Sequence, residues 1–110
     1  MELSFVNPDV RMVCENEDKA KQILGADIAL RLKSRLADMR AATFVSELVA
    51  GFPSEIRHNG IQAYKIDLTE QEKLVFCCVH ENIPLLDDGV STDWNQVSRV
   101  KLISIGSQIC

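Results

Sequence analysis

Histidine is the residue of this sequence best suited to acid–base chemistry, because imidazole is the one side chain that ordinarily titrates near neutral pH. His58 follows Arg57 in the polar stretch Arg57-His58-Asn59-Gly60, which is typical of a turn. We therefore treat His58 as a candidate catalytic group, with an exposed loop histidine as the alternative. His80 ends an apolar segment, and we interpret it as structural.

Basic residues are concentrated in one segment, although the chain as a whole has a net charge of −4. Residues 19–40 hold six Lys or Arg against two Asp, a net +4, whereas residues 1–18 and residues 41–110 each sum to −4. Overall acidity argues against indiscriminate nucleic-acid binding. Local contacts with RNA remain open, and a solvated charged face is the alternative. The candidate residues are Arg31, Lys33, Arg35, Arg40, Arg99 and Lys101.

The four cysteines do not predict a metal site or a disulfide. Cys77 and Cys78 are adjacent, so a strand would send their side chains to opposite faces. No Cys-x-x-Cys pair or Cys/His ligand spacing is present. A Gly-rich phosphate loop is also lacking. We expect reduced thiols, no metal and no cofactor.

Length and hydropathy predict one domain, spanning residues 1–110. The longest uncharged apolar run, Leu74–Val79, is far too short to cross a bilayer. The first ten residues lack the basic and long apolar regions of a signal peptide. We expect a cytoplasmic protein without a membrane association.

Helices are predicted for much of the first half of the chain. A short edge strand, Glu2–Val6, precedes a helix that Asn7 caps and that runs from Pro8 to about Glu15. A second stretch runs to Leu24, before Gly25. The next helix has an apolar stripe at Ile28, Leu32, Leu36 and Met39. A short helix is predicted over Phe44–Ala50.

Three strands are predicted in the second half. Ile61–Leu68 and Lys73–His80 form a hairpin, and Val100–Ile105 follows a long loop. Lys73–His80 is apolar on both faces, which favours a central position in the sheet. We expect an α+β fold, with N-terminal helices packed on a small, mainly antiparallel sheet.

This order of helices, hairpin and last strand resembles the small RelE/HigB-like toxins of type II toxin–antitoxin pairs. The segment RLKSRLADMRAAT resembles that family's basic helix, and AYKIDL…KLVF resembles its paired strands. DWNQVSRVKLISI is similar to the last strand of a HigB-like subgroup, together with the loop before it. The resemblance covers nearly the whole chain and implies a RelE-like toxin fold.

The resemblance implies a ribosome-dependent, metal-independent mRNA endoribonuclease. In such an enzyme the 2′-hydroxyl attacks the adjacent phosphate, which requires a base, an acid and nearby cations. Lys73 stands where the family has a strand arginine, and Tyr64 where it has an aromatic strand residue. Arg57 lies near the family's basic residue before a turn. The implied catalytic residues are Arg57, His58, Tyr64 and Lys73.

Two departures from the family pattern bear on catalysis. The family's Gly-Asp-Arg turn is replaced by His58-Asn59-Gly60, so its arginine is absent. The family's Asp-Tyr-His ending falls on Ser107-Gln108-Ile109, none of which exchanges protons near neutral pH. Either His58 supplies the acid–base function, or the nuclease activity is weak or lost.

The resemblance also implies partners. A toxin would bind an antitoxin of the HigA-like, DNA-binding kind, and an active one would bind the ribosome and mRNA. The alternative is a non-catalytic protein-binding module on a toxin-like fold. A homodimer or a toxin–antitoxin hetero-oligomer is open in either case, and the edge strand Glu2–Val6 is one surface that could pair.

Overall fold

The computed structural model describes residues 1–106, and these form an α+β fold of three helices and a five-stranded mixed sheet. The helices are α1 (Pro8–Glu15), α2 (Glu17–Leu24) and α3 (Ala26–Ala41), and a single 3₁₀ turn covers Val45–Glu47. The strands are β1 (Glu2–Phe5), β2 (Ser54–His58), β3 (Ile61–Asp67), β4 (Lys73–Cys78) and β5 (Arg99–Ile105).

Side-chain caps define where the first two helices begin. The Asn7 side chain accepts a hydrogen bond from the Val10 amide, and Asn16 accepts one from the Lys19 amide. Asn16 therefore closes α1 and opens α2, because an asparagine at this position satisfies an amide that the helix itself leaves unpaired. Gly25, at φ +90°, separates α2 from α3.

The sheet has the strand order β1-β5-β4-β3-β2. β1 is parallel to β5, and the other three pairings are antiparallel. The mainly antiparallel sheet is confirmed, and so are the central position of β4 and the edge position of β1. A register shift between Val75 and Phe76 breaks the β4–β5 ladder.

The helices cover one face of this sheet, where one hydrophobic core forms. Leu32, Leu36 and Met39 of α3 are fully or almost fully buried, as the predicted apolar stripe requires. Phe76 of β4 and Leu102 of β5 supply the matching surface of two of the three inner strands. Burying each such side chain contributes on the order of 2 kcal/mol, so this contact is the main source of stability.

Two predictions for residues 44–60 are wrong. The expected helix over Phe44–Ala50 is only the 3₁₀ turn, which the Glu47 carboxylate caps by accepting from the Phe44 amide. The expected turn over Arg57–Gly60 is narrower, because Arg57 and His58 belong to β2 and only Asn59-Gly60 turns. Both turn residues have positive φ, +50° and +83°, as a two-residue hairpin requires.

No helix within residues 1–106 combines the length and apolar character that crossing a membrane requires.

Candidate functional site: the outer face of the sheet

The sheet leaves one face without helices, and this outer face holds much of the predicted chemistry. The register defines it, since directly paired residues project to the same side. Ser4 pairs with Lys101, Lys101 with Cys77, Lys65 with Val75, and Asp67 with Lys73. The residues alternating with these face the helices.

His58 and Arg57 therefore lie on opposite sides. His58 pairs with Ile61 and shares the outer face, where it is half-buried. Arg57 pairs with Gln62 on the helix side, where it is exposed and its Nη1 donates to the Gly60 carbonyl at 3.2 Å. The two candidates for acid–base and cationic catalysis cannot face one phosphate.

Four of the ten predicted site residues share the outer face. They are His58, Lys73, Arg99 and Lys101. Lys65 joins them, although sequence reasoning did not select it. Two carboxylates moderate the positive charge: Lys65 Nζ lies 2.9 Å from Asp67 Oδ1, and Arg99 Nε lies 3.1 Å from Glu2 Oε2.

The middle of the outer face is built from small or buried side chains. Ala63 and Val75 are buried although they lie outside the main core cluster, and Cys77 is half-buried between β3 and Lys101. Burial raises the pKa of the Cys77 thiol, and the nearby Lys101 lowers it by a smaller amount. The Cys77 thiol is thus neutral and lies in the middle of the outer face, with longer cationic side chains around it.

His58 and the cations of the outer face are spread out. Ile61, opposite His58, and Asp67, opposite Lys73, are six residues apart on β3. At about 3.3 Å per residue, this separates His58 from Lys73 by about 20 Å along the strands. Such spacing suits contacts with phosphates several nucleotides apart on one strand and does not assemble an acid, a base and a cation around one phosphorus atom.

Tyr64 belongs to an aromatic cluster on the helix side. Its ring centroid lies 4.8 Å from that of Trp94 and 5.8 Å from that of Phe76. Glu55 pairs with Tyr64 across β2 and β3. Burial, and then the Glu55 charge, raise the pKa of the Tyr64 hydroxyl, so this phenol stays protonated at neutral pH. Tyr64 and Arg57 share this face, on the opposite side of the sheet from His58 and Lys73.

The predicted cations of α3 do not extend the outer face, because α3 lies on the other side of the sheet. Arg31 donates through Nη1 to the Leu68 carbonyl at 3.2 Å. Lys33 lies 2.7 Å from a Glu17 carboxylate oxygen, and the hydrogen bond to Lys33 lowers the pKa of that carboxyl. Arg35 Nε is 3.3 Å from Asp38 Oδ2. Arg40 is exposed near the end of α3.

Glu55 was missed because its position depends on β2, whereas Lys65 lies on the predicted strand Ile61–Leu68 and was not selected as a site residue. A short strand with the sequence SEIRH shows no clear alternation of apolar and polar residues. The available signal was Asn59-Gly60, the strongest short-range indication of a hairpin, which places a strand on each side of itself. Given that hairpin, residue alternation alone separates Glu55 and Arg57 from His58.

Residues 1–106 contain no cluster of three or more His, Cys, Asp or Glu side chains arranged to hold a metal ion. The predicted substitution of the family's Asp-Tyr-His ending by Ser107-Gln108-Ile109 lies outside the described residues. Neither a family model, nor a curated protein, nor a solved structure matches this chain.

Proposed function

We propose that this protein is the toxin component of a type II toxin–antitoxin pair, of the RelE/HigB kind, and that it binds mRNA on the ribosome through its outer face. The order of the elements carries the proposal: after the edge strand β1 come the helices, then the antiparallel strands that include the β3–β4 hairpin, and a last strand that returns between β1 and β4. This is the order that the sequence resemblance implies.

The charge of the outer face supports RNA as its ligand. Its strand residues include four cations, Lys65, Lys73, Arg99 and Lys101, against the two carboxylates of Glu2 and Asp67, a net +2. The whole chain has a net charge of −4, so charge is segregated towards this face. A phosphate backbone gains binding free energy wherever such cations replace its counterions.

His58 is the acid–base group that the proposal assigns to cleavage. The 2′-oxygen forms a bond to phosphorus, its proton passes to a base, and the 5′-oxygen leaves with a proton from an acid. A base or an acid in position contributes roughly 10²–10⁴-fold. His58 can fill one of these roles at a time, and no second histidine or carboxylate lies beside it among the strand residues of the outer face. We expect slow cleavage that depends on His58.

Induced expression in a bacterial host tests the proposal, with growth followed and new mRNA 5′ ends mapped. Growth arrest with cuts inside translated regions is the expected result. Normal growth and intact mRNA, from soluble folded protein and without an antitoxin, would contradict a nuclease function.

A matched pair of variants makes this test specific to one face. His58→Ala and Arg57→Ala change adjacent residues of the same strand that project to opposite faces. His58→Ala should relieve the arrest, whereas Arg57→Ala should leave it unchanged. Circular dichroism of both proteins controls for folding. Relief of the arrest by Arg57→Ala but not by His58→Ala would place the site on the helix side of the sheet.

The second candidate is a non-catalytic binding module on a toxin-like fold. His58 lies far from Lys73 along the strands, and Tyr64 and Arg57 project to the opposite face of the sheet. This arrangement favours the second candidate, because the four implied catalytic residues do not converge. Harmless overexpression together with stoichiometric co-purification with the product of a neighbouring gene is expected in that case. A protein that elutes alone when that neighbour is co-expressed would count against it.

A further inference from the structure

Phe52 combines two features that folding alone does not explain. It lies in the loop before β2 with φ +50°, a left-handed conformation that is strained for a bulky residue. Its side chain is 81% exposed, so burial of the ring within this chain does not offset the strain. Strained residues persist where the surroundings impose them, and an aromatic side chain held in water is typical of an anchor for a partner.

The surroundings of Gly51 explain why Phe52 is held in this conformation. The Gly51 carbonyl accepts from the Asp67 amide at 2.6 Å, which ties the loop to the end of β3. Gly51 itself has φ +86°, and a Cβ atom there would lie 2.9 Å from the Asp67 carbonyl oxygen. The loop is therefore fixed against β3, and Phe52 projects from a preorganised backbone.

A groove of about 500 Å³ lies beside Phe52, between α3 and the turn that joins β3 to β4. Leu30, 66% exposed, and Leu68 give it an apolar lining. Of its four charged lining residues, Arg35 and Asp67 form ion pairs with Asp38 and Lys65. This leaves Arg31 and Glu70 as one cation and one carboxylate at its surface. Neither of these two charges belongs to an ion pair within residues 1–106. The patch thus presents a projecting aromatic side chain, an apolar groove and charges of both signs.

We propose that this patch is the interface of a two-fold dimer, in which Phe52 of each copy enters the groove of the other. Arg31 of one copy then opposes Glu70 of the partner subunit. A second copy fits because a two-fold interface requires one patch to complement itself, in shape and in charge. A ligand with charges of one sign would instead be repelled by either Arg31 or Glu70.

This dimer is independent of the proposed RNA function. The patch lies on α3 and the β3–β4 turn, whereas the proposed RNA site is the helix-free outer face. Failure of either proposal would leave the other standing, since the oligomeric state and RNA cleavage are measured separately.

Sedimentation equilibrium of the full chain over a range of concentrations tests the dimer. The wild type should associate with a single monomer–dimer equilibrium. Phe52→Gly removes the ring and also relieves the positive φ, so it should fold normally and weaken association at least tenfold. Val90→Ser is the control, because Val90 is 68% exposed on a different loop, and this variant should associate like the wild type.

Charge reversal tests the orientation of the two copies. Arg31→Glu and Glu70→Arg should each weaken association, because each places like charges together twice in a two-fold dimer. Mixing the two variants should restore association as a heterodimer, since both contacts again join unlike charges. Two variants that stay monomeric when mixed would overturn the proposed pairing.

Two other results would overturn the dimer itself. One is a wild type that remains monomeric at its highest soluble concentration. The other is a dimer that Phe52→Gly leaves intact. A monomeric wild type that binds a co-expressed neighbouring gene product, and loses it on Phe52→Gly, would assign the patch to a different protein.

Discussion

Arg57 and His58 are adjacent on β2 and yet project to opposite faces of the sheet. The register fixes this arrangement, because Arg57 pairs with Gln62 on the helix side and His58 pairs with Ile61 on the outer face. The hairpin turn at Asn59-Gly60 sets that register. A slip of one residue would exchange the two side chains, so the geometry of this turn decides which of them can meet RNA.

Single-stranded RNA should lose affinity when cations are removed from the outer face. Lys101→Ala and Lys73→Ala should each weaken binding and lower the salt dependence of the binding constant by about 0.7 per lost phosphate contact. Fluorescence anisotropy of a labelled oligonucleotide at several salt concentrations measures both quantities.

The control for this experiment is Lys33→Ala. Lys33 is a cation of α3, on the other side of the sheet, and it already pairs with Glu17 at 2.7 Å. The Lys33→Ala variant should therefore keep both the RNA affinity and the salt dependence of the wild type. Equal losses in all three variants would indicate binding through overall charge, without a defined face.

Gly60→Ala should destabilise the protein by about 1 kcal/mol or somewhat more, because alanine is strained at φ +83°. An added Cβ would meet no atom within 4 Å, so the cost is confined to the backbone. Urea denaturation measures the change in the free energy of unfolding. Asn59→Gly is the matched control, since glycine adopts the φ of +50° readily, and this variant should stay within about 0.5 kcal/mol of the wild type. Similar stability of Gly60→Ala would mean that the turn changes its conformation.

Sequence patterns predict the helices and the inner strands of this fold well. Asn7, Pro8 and Gly25 locate helix ends, and the apolar residues of β4 predict its central place. The same patterns do not predict β2, because it is an edge strand of five residues with two charged side chains and a histidine. An edge strand, which has solvent along one side, lacks the long apolar run that identifies an inner strand.

The candidate site was less predictable, because it depends on faces and not on spacing along the chain. Lys101 and Cys77 become neighbours only through the antiparallel β4–β5 pairing. Tyr64 and His58 are six residues apart and project to opposite faces of the sheet. This follows because side chains alternate along each strand and a two-residue turn lies between the two residues. A one-dimensional pattern does not contain the register that decides these relationships.

His80 should prove structural, as its contacts indicate. Its Nε2 accepts from the Ser98 amide at 2.9 Å and from the Arg99 amide at 3.2 Å, where β5 begins. His80→Ala leaves these amides without their acceptor and should cost about 1–3 kcal/mol in the free energy of unfolding.

His80→Gln is the matched control, because an amide oxygen of similar reach can accept both bonds. This variant should retain most of the stability when both proteins are compared by urea denaturation. If His80→Gln were as unstable as His80→Ala, packing of the imidazole ring would outweigh its role as an acceptor.

Cys14 should make the protein less stable in alkaline solution. Burial raises the pKa of this thiol from 9.0 to about 12, against a smaller opposing effect of Arg40. The folded state therefore keeps a proton that the unfolded chain loses, so the free energy of unfolding falls as pH rises from about 9 towards about 12. At about 1.4 kcal/mol per pKa unit, the loss is at most about 4 kcal/mol.

Comparison with Cys14→Ala isolates this effect, because every other ionisable group is common to the two proteins. The variant should be less stable near neutral pH, since it leaves a small cavity, and the difference should shrink or reverse by about pH 11. Urea denaturation at several pH values measures it. A difference that stays constant with pH would mean that the thiol ionises equally easily in the folded and unfolded chains, and that solvent reaches Cys14 in the native protein.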